Sequence, residues 1–138
     1  METRLVLCAE SVVTDAQTNS ISIFNLLEEI TAIGVPFLIP KLSFFILLRR
    51  EELEPNESTC TLIIRNNDSE LIRHSIQINF QRKLNNRLIA TFGGLLINAT
   101  GNVSVTLVDA ENAQLGTWRI GINAPQGAVQ PISTAFSI

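Results

Sequence analysis

The stretch IRHSIQINF, residues 72–80, decides the fold class because its side chains alternate in character. The even positions carry Ile72, His74, Ile76, Ile78 and Phe80, and the odd positions between them are polar. A period of two places successive side chains on opposite faces of a β-strand. The same alternation recurs in residues 103–107 and 117–122. Each of these stretches therefore buries one face and exposes the other, which is typical of antiparallel sheets.

Clusters of Gly, Pro, Asn and Asp separate the alternating stretches and mark turns between strands. Eight strands are predicted, over residues 4–13, 20–28, 42–50, 59–65, 71–81, 87–92, 101–108 and 116–122. This pattern predicts an all-β fold, an antiparallel β-sandwich of about eight strands that is C2-like or immunoglobulin-like, with little helix. Residues 1–123 are expected to form the sandwich domain. The uncharged tail, residues 124–138, is expected to be either docked or disordered.

Composition and charge exclude several classes of protein. With 46% hydrophobic and 17% charged residues, the chain is not of the disordered class. A net charge of −3 argues against a surface that follows nucleic-acid phosphates. The apolar run over residues 33–48 is interrupted by two prolines, a glycine and a lysine, so no membrane span is predicted. No targeting segment is visible, and Cys8 and Cys60 are expected to be buried, reduced thiols in a cytoplasmic protein.

Residues with catalytic chemistry are sparse. His74 is the only histidine, so a two-histidine relay or a histidine-rich metal site cannot be built within one chain. His74 lies on the same face of its strand as the neighbouring isoleucines, which indicates a core position. Trp118 lies on the apolar side of its strand, which favours core packing over a stacking platform for a sugar or another small molecule. No catalytic residue and no cofactor is predicted, and the chain is expected not to be an enzyme.

Acidic residues gather in the loops that antiparallel connections would place at one end of the sandwich. Asp15, Asp109 and Glu111 are the candidate ligands there. Calcium needs six to eight oxygens from closely set carboxylates, and C2 domains hold it in loops of this kind. These loops lack a tight Asp-x-Asp, however. The main expectation is therefore a solvated acidic rim with no metal, and a calcium site formed by these three residues is the alternative.

An apolar segment stands out at the opposite end, in residues 31–41, and it continues into a strand that is apolar at nearly every position, residues 42–48. Both faces of that strand must be covered, although a sandwich covers only one face of each sheet. Either a segment of the chain itself or another protein must provide the second cover. The predicted partner interface comprises Ile33, Val35, Phe37, Leu38, Ile39, Phe45 and Leu47.

Two parts of the sequence resemble a family of small bacterial β-sandwich proteins of unknown function. The first is RLVLCAE, residues 4–10, leading into NSISIFN, residues 19–25, and the second is residues 101–109 leading into Leu115-Gly116. The resemblance extends to about Ile122 and implies a β-sandwich and a bacterial, cytoplasmic origin. It implies no catalytic residues.

The leading hypothesis is a non-enzymatic module that self-associates or binds a protein partner through residues 31–48. The alternatives are a calcium- or lipid-binding C2-like domain that uses Asp15, Asp109 and Glu111, and a small-molecule or carbohydrate-binding sandwich that uses Trp118.

Overall fold

The computed structural model describes residues 1–125, and this part of the chain contains nine β-strands and no helix. Most of the predicted tail, residues 126–138, lies outside the described residues. The strands are β1 (Glu2–Thr14), β2 (Ile21–Leu26), β3 (Glu29–Thr31), β4 (Phe37–Arg49), β5 (Glu57–Asn66), β6 (Ser69–Asn79), β7 (Asn85–Ile97), β8 (Gly101–Val108) and β9 (Gln114–Asn123).

The strands form two sheets that pack face to face, which confirms the predicted all-β fold. The first sheet has the order β2-β1-β4-β7, and the second has the order β3-β9-β8-β5-β6. All pairings are antiparallel except that of the short strand β3 with β9. Because β3 lies parallel to β9, the chain does not reverse direction at every connection, as the sequence analysis had assumed.

The main core lies between the sheets and is centred on β4. Leu42, Phe44, Ile46 and Leu48 alternate along β4, and each is fully buried. They meet buried residues from the facing sheet, mainly Leu62 and Ile64 of β5, Val103, Val105 and Leu107 of β8, and Ile120 and Ile122 of β9. Burial of these apolar side chains is the main favourable contribution to the stability of the fold.

Strands β4 and β7 are longer than predicted because their proline and glycine residues bend the pair without ending it. Lys41 pairs with Gly93 and Ile39 pairs with Leu95, so the register continues through the bend. Ile39 and Leu42 both lie in the main core although they are three residues apart, which shows that the alternation shifts by one residue here. Gly94 has φ 72° at this point, a conformation that glycine adopts without a steric penalty.

The hairpin of β1 and β2 bends out of the first sheet. Its register pairs Ala9 with Leu26 and Ser11 with Phe24, and no pair forms between Glu10 and Asn25. Asn25 has φ 57°, and its side-chain amide donates a hydrogen bond to the Glu10 carboxylate at 2.7 Å. A left-handed residue within a strand pair produces a local bend. Residues 10–26, beyond this bend, are called the flap.

The flap lies across the outer face of the first sheet. Its side chains Val12 and Ile21 pack against a second buried cluster, formed by Leu7, Ala9 and Phe45. At its tip, the Asn19 carbonyl accepts a hydrogen bond from the Arg87 guanidinium of β7 at 2.6 Å. The flap is therefore the segment of the chain that covers the second face of β4.

Candidate functional site

The seven residues of the predicted interface divide into exposed and buried groups. Ile33 is 96% exposed, and Val35 and Leu38 are about half exposed. Phe37 and Leu47 are partly buried, whereas Ile39 and Phe45 are each only 4% exposed. The structure therefore leaves three of the seven side chains available to a partner.

The buried members contribute to folding instead. Ile39 belongs to the main core, and Phe37 packs against it. Phe45 and Leu47 belong to the second cluster, which the flap covers. Both faces of β4 are covered, as the sequence indicated. The cover over Phe45 and Leu47 is the flap of the same chain and not a partner protein. These two residues do not form an exposed surface.

The exposed members lie at the end of the molecule where β4 begins, together with a fourth apolar side chain. Leu38 pairs with Leu96 of β7, and both side chains are about half exposed. Ile33 and Val35 precede them in the loop between β3 and β4. We call Ile33, Val35, Leu38 and Leu96 the end patch. Leu96 was absent from the prediction because residues 93–94 were read as a turn that ended its strand.

A second exposed apolar group lies on the flap. Its members are 40 to 55% exposed: Val13, Ile23, Phe24 and Leu26. No charged residue occurs in the strand segment β2. This group was not predicted, because residues 20–28 resemble an ordinary strand with one buried face. The signal that could have identified it is the adjacent pair Ile23-Phe24, since two large apolar neighbours on a strand point to opposite faces.

The two candidate aspartates each accept hydrogen bonds from the backbone of their own turn, and Glu111 supplies only one of those backbone amides. Asp15 accepts hydrogen bonds from the backbone amides of Gln17 and Thr18, and these bonds, that of Thr18 foremost, lower the pKa of its carboxyl. Asp109 accepts bonds from the amides of Glu111 and Ala113. Among residues 1–125, no three His, Cys, Asp or Glu side chains are grouped closely enough to hold a metal ion. The structure thus does not bring Asp15, Asp109 and Glu111 together.

The single histidine and the single tryptophan have different environments. His74 is exposed, which corrects the expectation of a core position, because β6 is the edge strand of its sheet. Trp118 packs against both apolar clusters, and its Nε1 donates a hydrogen bond to the Leu27 carbonyl at 2.7 Å. Since its ring and its polar atom are both engaged within the protein, Trp118 serves core packing.

Both cysteines are buried and free, as expected from the sequence. Cys8 faces the main core opposite Phe44, and Cys60 lies in the same core. Burial raises the pKa of the Cys8 thiol to about 12 and that of the Cys60 thiol to about 11. Both groups are therefore neutral thiols near neutral pH, where a nucleophilic cysteine would have to be a thiolate.

We expect the native protein to resist thiol-modifying reagents at pH 8, because neither reagent nor thiolate is available in the core. Ellman's reagent should release no colour from the folded wild type and should report two thiols after unfolding in urea. A Ser22→Cys variant provides the control, because position 22 is exposed on the flap and should react at once. Rapid reaction of a wild-type thiol in the folded state would contradict the burial described here.

No helix in the described part of the chain is long and apolar enough to cross a membrane. Comparison with known proteins finds no matching family model, no similar curated protein and no similar solved structure.

Proposed function

We propose that this protein is a non-enzymatic self-association module whose flap binds the flap of a second copy. One observation carries the proposal. The flap packs Val12 and Ile21 against the outer face of the first sheet. It also exposes four large apolar side chains to solvent: Val13, Ile23, Phe24 and Leu26. An exposed apolar group on a strand at a sheet edge is a typical association site.

The edges of the two sheets differ in how they are protected against pairing with another chain. The edge strand β6 carries Glu70 and Arg73, β7 carries Arg87, and β3 is only three residues long with Glu29 at its start. Charges and short length are the usual devices that keep a strand edge unpaired. Strand β2 has neither a charge nor a proline. Of the four edges in residues 1–125, it is the one best suited to pairing.

A second copy is the occupant that these features favour. Antiparallel pairing of two identical strands about a two-fold axis places the residues near the axis opposite or diagonally across from their own copies, so a charge there would lie close to a like charge. Strand β2 carries no charge and meets no such repulsion. The pairing would bring Ile23 and Phe24 of the two copies together, and the unpaired backbone groups of β2 would gain hydrogen bonds.

The proposal also covers origin and fold type. A bacterial, cytoplasmic protein is supported by the family resemblance and by the two buried thiols that remain unpaired. The two-sheet architecture supports a C2-like or immunoglobulin-like sandwich as the finer description. A calcium function is not proposed, because residues 1–125 contain no group of three such side chains close enough to hold a metal ion.

The expected result is a concentration-dependent dimer that Phe24→Lys weakens by about tenfold or more. A lysine at this position would place an ammonium group in an apolar contact, which is costly to desolvate. Sedimentation velocity over a wide concentration range measures the effect. Leu53→Lys is the matched control, because Leu53 is 100% exposed in the loop after β4 and lies outside the flap and the end patch.

Two results would count against the proposal. A wild type that sediments as a monomer at every concentration would refute self-association. A dimer that is weakened by Leu38→Lys and not by Phe24→Lys would transfer the contact from the flap to the end patch.

A further inference from the structure

The outer face of the second sheet contains a groove that the proposed self-association does not use. Its volume is about 880 Å³, and residues of β5, β6, β8 and β9 line it. The volume falls within the range of about 300–1,000 Å³ that is usual for small-molecule sites. The flap lies on the other sheet, so the groove stays open in the proposed dimer.

Two arginines on different strands line the groove. Arg65 of β5 and Arg119 of β9 both pair in register with Ser104 of β8, which lies between them. Residues that are paired in register share a face of the sheet, so both guanidinium groups rise from the floor of the groove. The two backbones are two strand spacings apart, about 10 Å. Long arginine side chains can approach one bound group across that distance.

These two arginines have no partner among the residues that the structure describes. In residues 1–125, neither guanidinium forms a hydrogen bond or an ion pair with another residue, whereas Arg73 at the groove wall is paired with Glu70 at 2.8 Å. Asp68 is the one carboxylate among the lining residues. Because Glu70 neutralises Arg73, the charges left on this face are those of Arg65 and Arg119 against the Asp68 carboxylate, which makes the face positive on a chain whose net charge is −3. Like charges held on one face repel each other and are relieved by a bound anion.

The floor suits the organic part of a ligand. Ile63 and Thr106 lie side by side on β5 and β8, and each is nearly inaccessible to solvent although it belongs to the outer face. The Thr106 and Thr117 hydroxyls are 2.8 Å apart and are hydrogen-bonded to each other. A floor with one apolar and one hydroxyl-bearing row, next to two arginines, offers contacts to a small molecule that carries both a carbon skeleton and an anionic group.

We propose that this groove binds a small organic molecule through a carboxylate or phosphate group held between Arg65 and Arg119. A guanidinium group matches the geometry of both oxyanions and forms paired, charge-assisted hydrogen bonds with either. The hydroxyl of Ser104, between the two arginines, adds a hydrogen-bond donor. The binding site is independent of the flap, so the failure of either proposal leaves the other standing.

Isothermal titration with citrate and with inorganic pyrophosphate tests the proposal and distinguishes the two sources of the anion. The ionic strength is held constant with chloride. We expect saturable binding of at least one probe to the wild type, and binding about tenfold weaker or more in the double variant Arg65→Gln and Arg119→Gln. Arg82→Gln is the matched control, because Arg82 is exposed in the loop after β6 and does not line the groove. This control should bind like the wild type.

A second variant guards against a loss of binding that comes from misfolding. Ser104→Glu places a carboxylate between the two arginines, which should block the anion site while relieving their repulsion. We expect this variant to bind neither probe and to melt at a temperature no lower than that of the wild type. The absence of saturable binding to the wild type, or equal affinities in the wild type and the double variant, would overturn the proposal.

Discussion

Replacement of Phe44 by alanine is expected to lower the free energy of unfolding by about 4 kcal/mol. Phe44 is fully buried at the centre of β4, where it pairs with Cys8 on one side and Ala90 on the other. The loss combines the transfer free energy of the ring with the cost of the cavity that remains. Urea unfolding followed by the fluorescence of Trp118, the single tryptophan, measures the change.

Phe24→Ala is the matched control for this prediction. It removes the same atoms from a side chain that is 55% exposed on the flap. At protein concentrations low enough to keep the chain monomeric, we expect a loss of about 1 kcal/mol or less, because little apolar surface returns to water. Equal losses at positions 44 and 24 would show that the core is not centred between the two sheets as described.

The second large effect is expected at Asn66, where alanine should cost about 2–4 kcal/mol. The Asn66 side chain is 4% exposed and forms hydrogen bonds with the backbone of the turn between β7 and β8. Its amide nitrogen donates to the carbonyls of Ala99 and Asn102 at 3.0 and 3.2 Å. Its oxygen accepts from the amides of Asn98 and Ala99, both at 3.0 Å. Alanine would leave these backbone groups without their partners, and the loss of buried hydrogen bonds is costly.

Asn85→Ala provides the comparison for Asn66, because Asn85 is exposed at the start of β7 and its side chain takes no part in this turn. Equilibrium unfolding in urea should show a change within about 0.5 kcal/mol for this variant. If Asn66→Ala were equally mild, the turn would be held by its backbone alone. Hydrogen exchange of the Asn98 and Ala99 amides would then show no gain over the wild type.

The strands of the second sheet could be predicted because each buries one face only. Residues 72–80, 103–107 and 117–122 alternate in the sequence, and the alternation corresponds to strands β6, β8 and β9. His74 shows where this reasoning fails. Its phase is that of the buried isoleucines, but its strand lies at the edge of the sheet, where the core no longer covers it. Alternation reports the face of a residue and not its distance from the edge.

The continuity of β4 and β7 could not be read from single residues. Pro40 and Gly93-Gly94 are turn signals in isolation, yet they lie near each other across a strand pair and together produce a bend. Recognising this needs the register between strands that are far apart in the sequence.

The flap was the larger omission. The apolar character of residues 42–48 correctly indicated that both faces of β4 are covered. The segment that covers the outer face could not be identified, because its position depends on the bend at Glu10 and Asn25. Asparagine tolerates the left-handed conformation, but most asparagines do not adopt it, so its presence in a strand does not predict a bend. The groove between Arg65 and Arg119 was missed for a related reason, since only the strand order places those residues beside Ser104.

Pulsed electron spin resonance on a single nitroxide label at Ser22→Cys tests the pairing of the flaps most directly. The buried wild-type thiols should stay unlabelled, so each chain carries one label on β2. If two copies pair through β2, the spectra contain one short distance between labels of different chains, and Phe24→Lys removes it. A label at Ser75→Cys, on the edge strand of the second sheet, should give no such short distance. The absence of any distance from position 22, or a short distance from position 75, would contradict self-association through the flap.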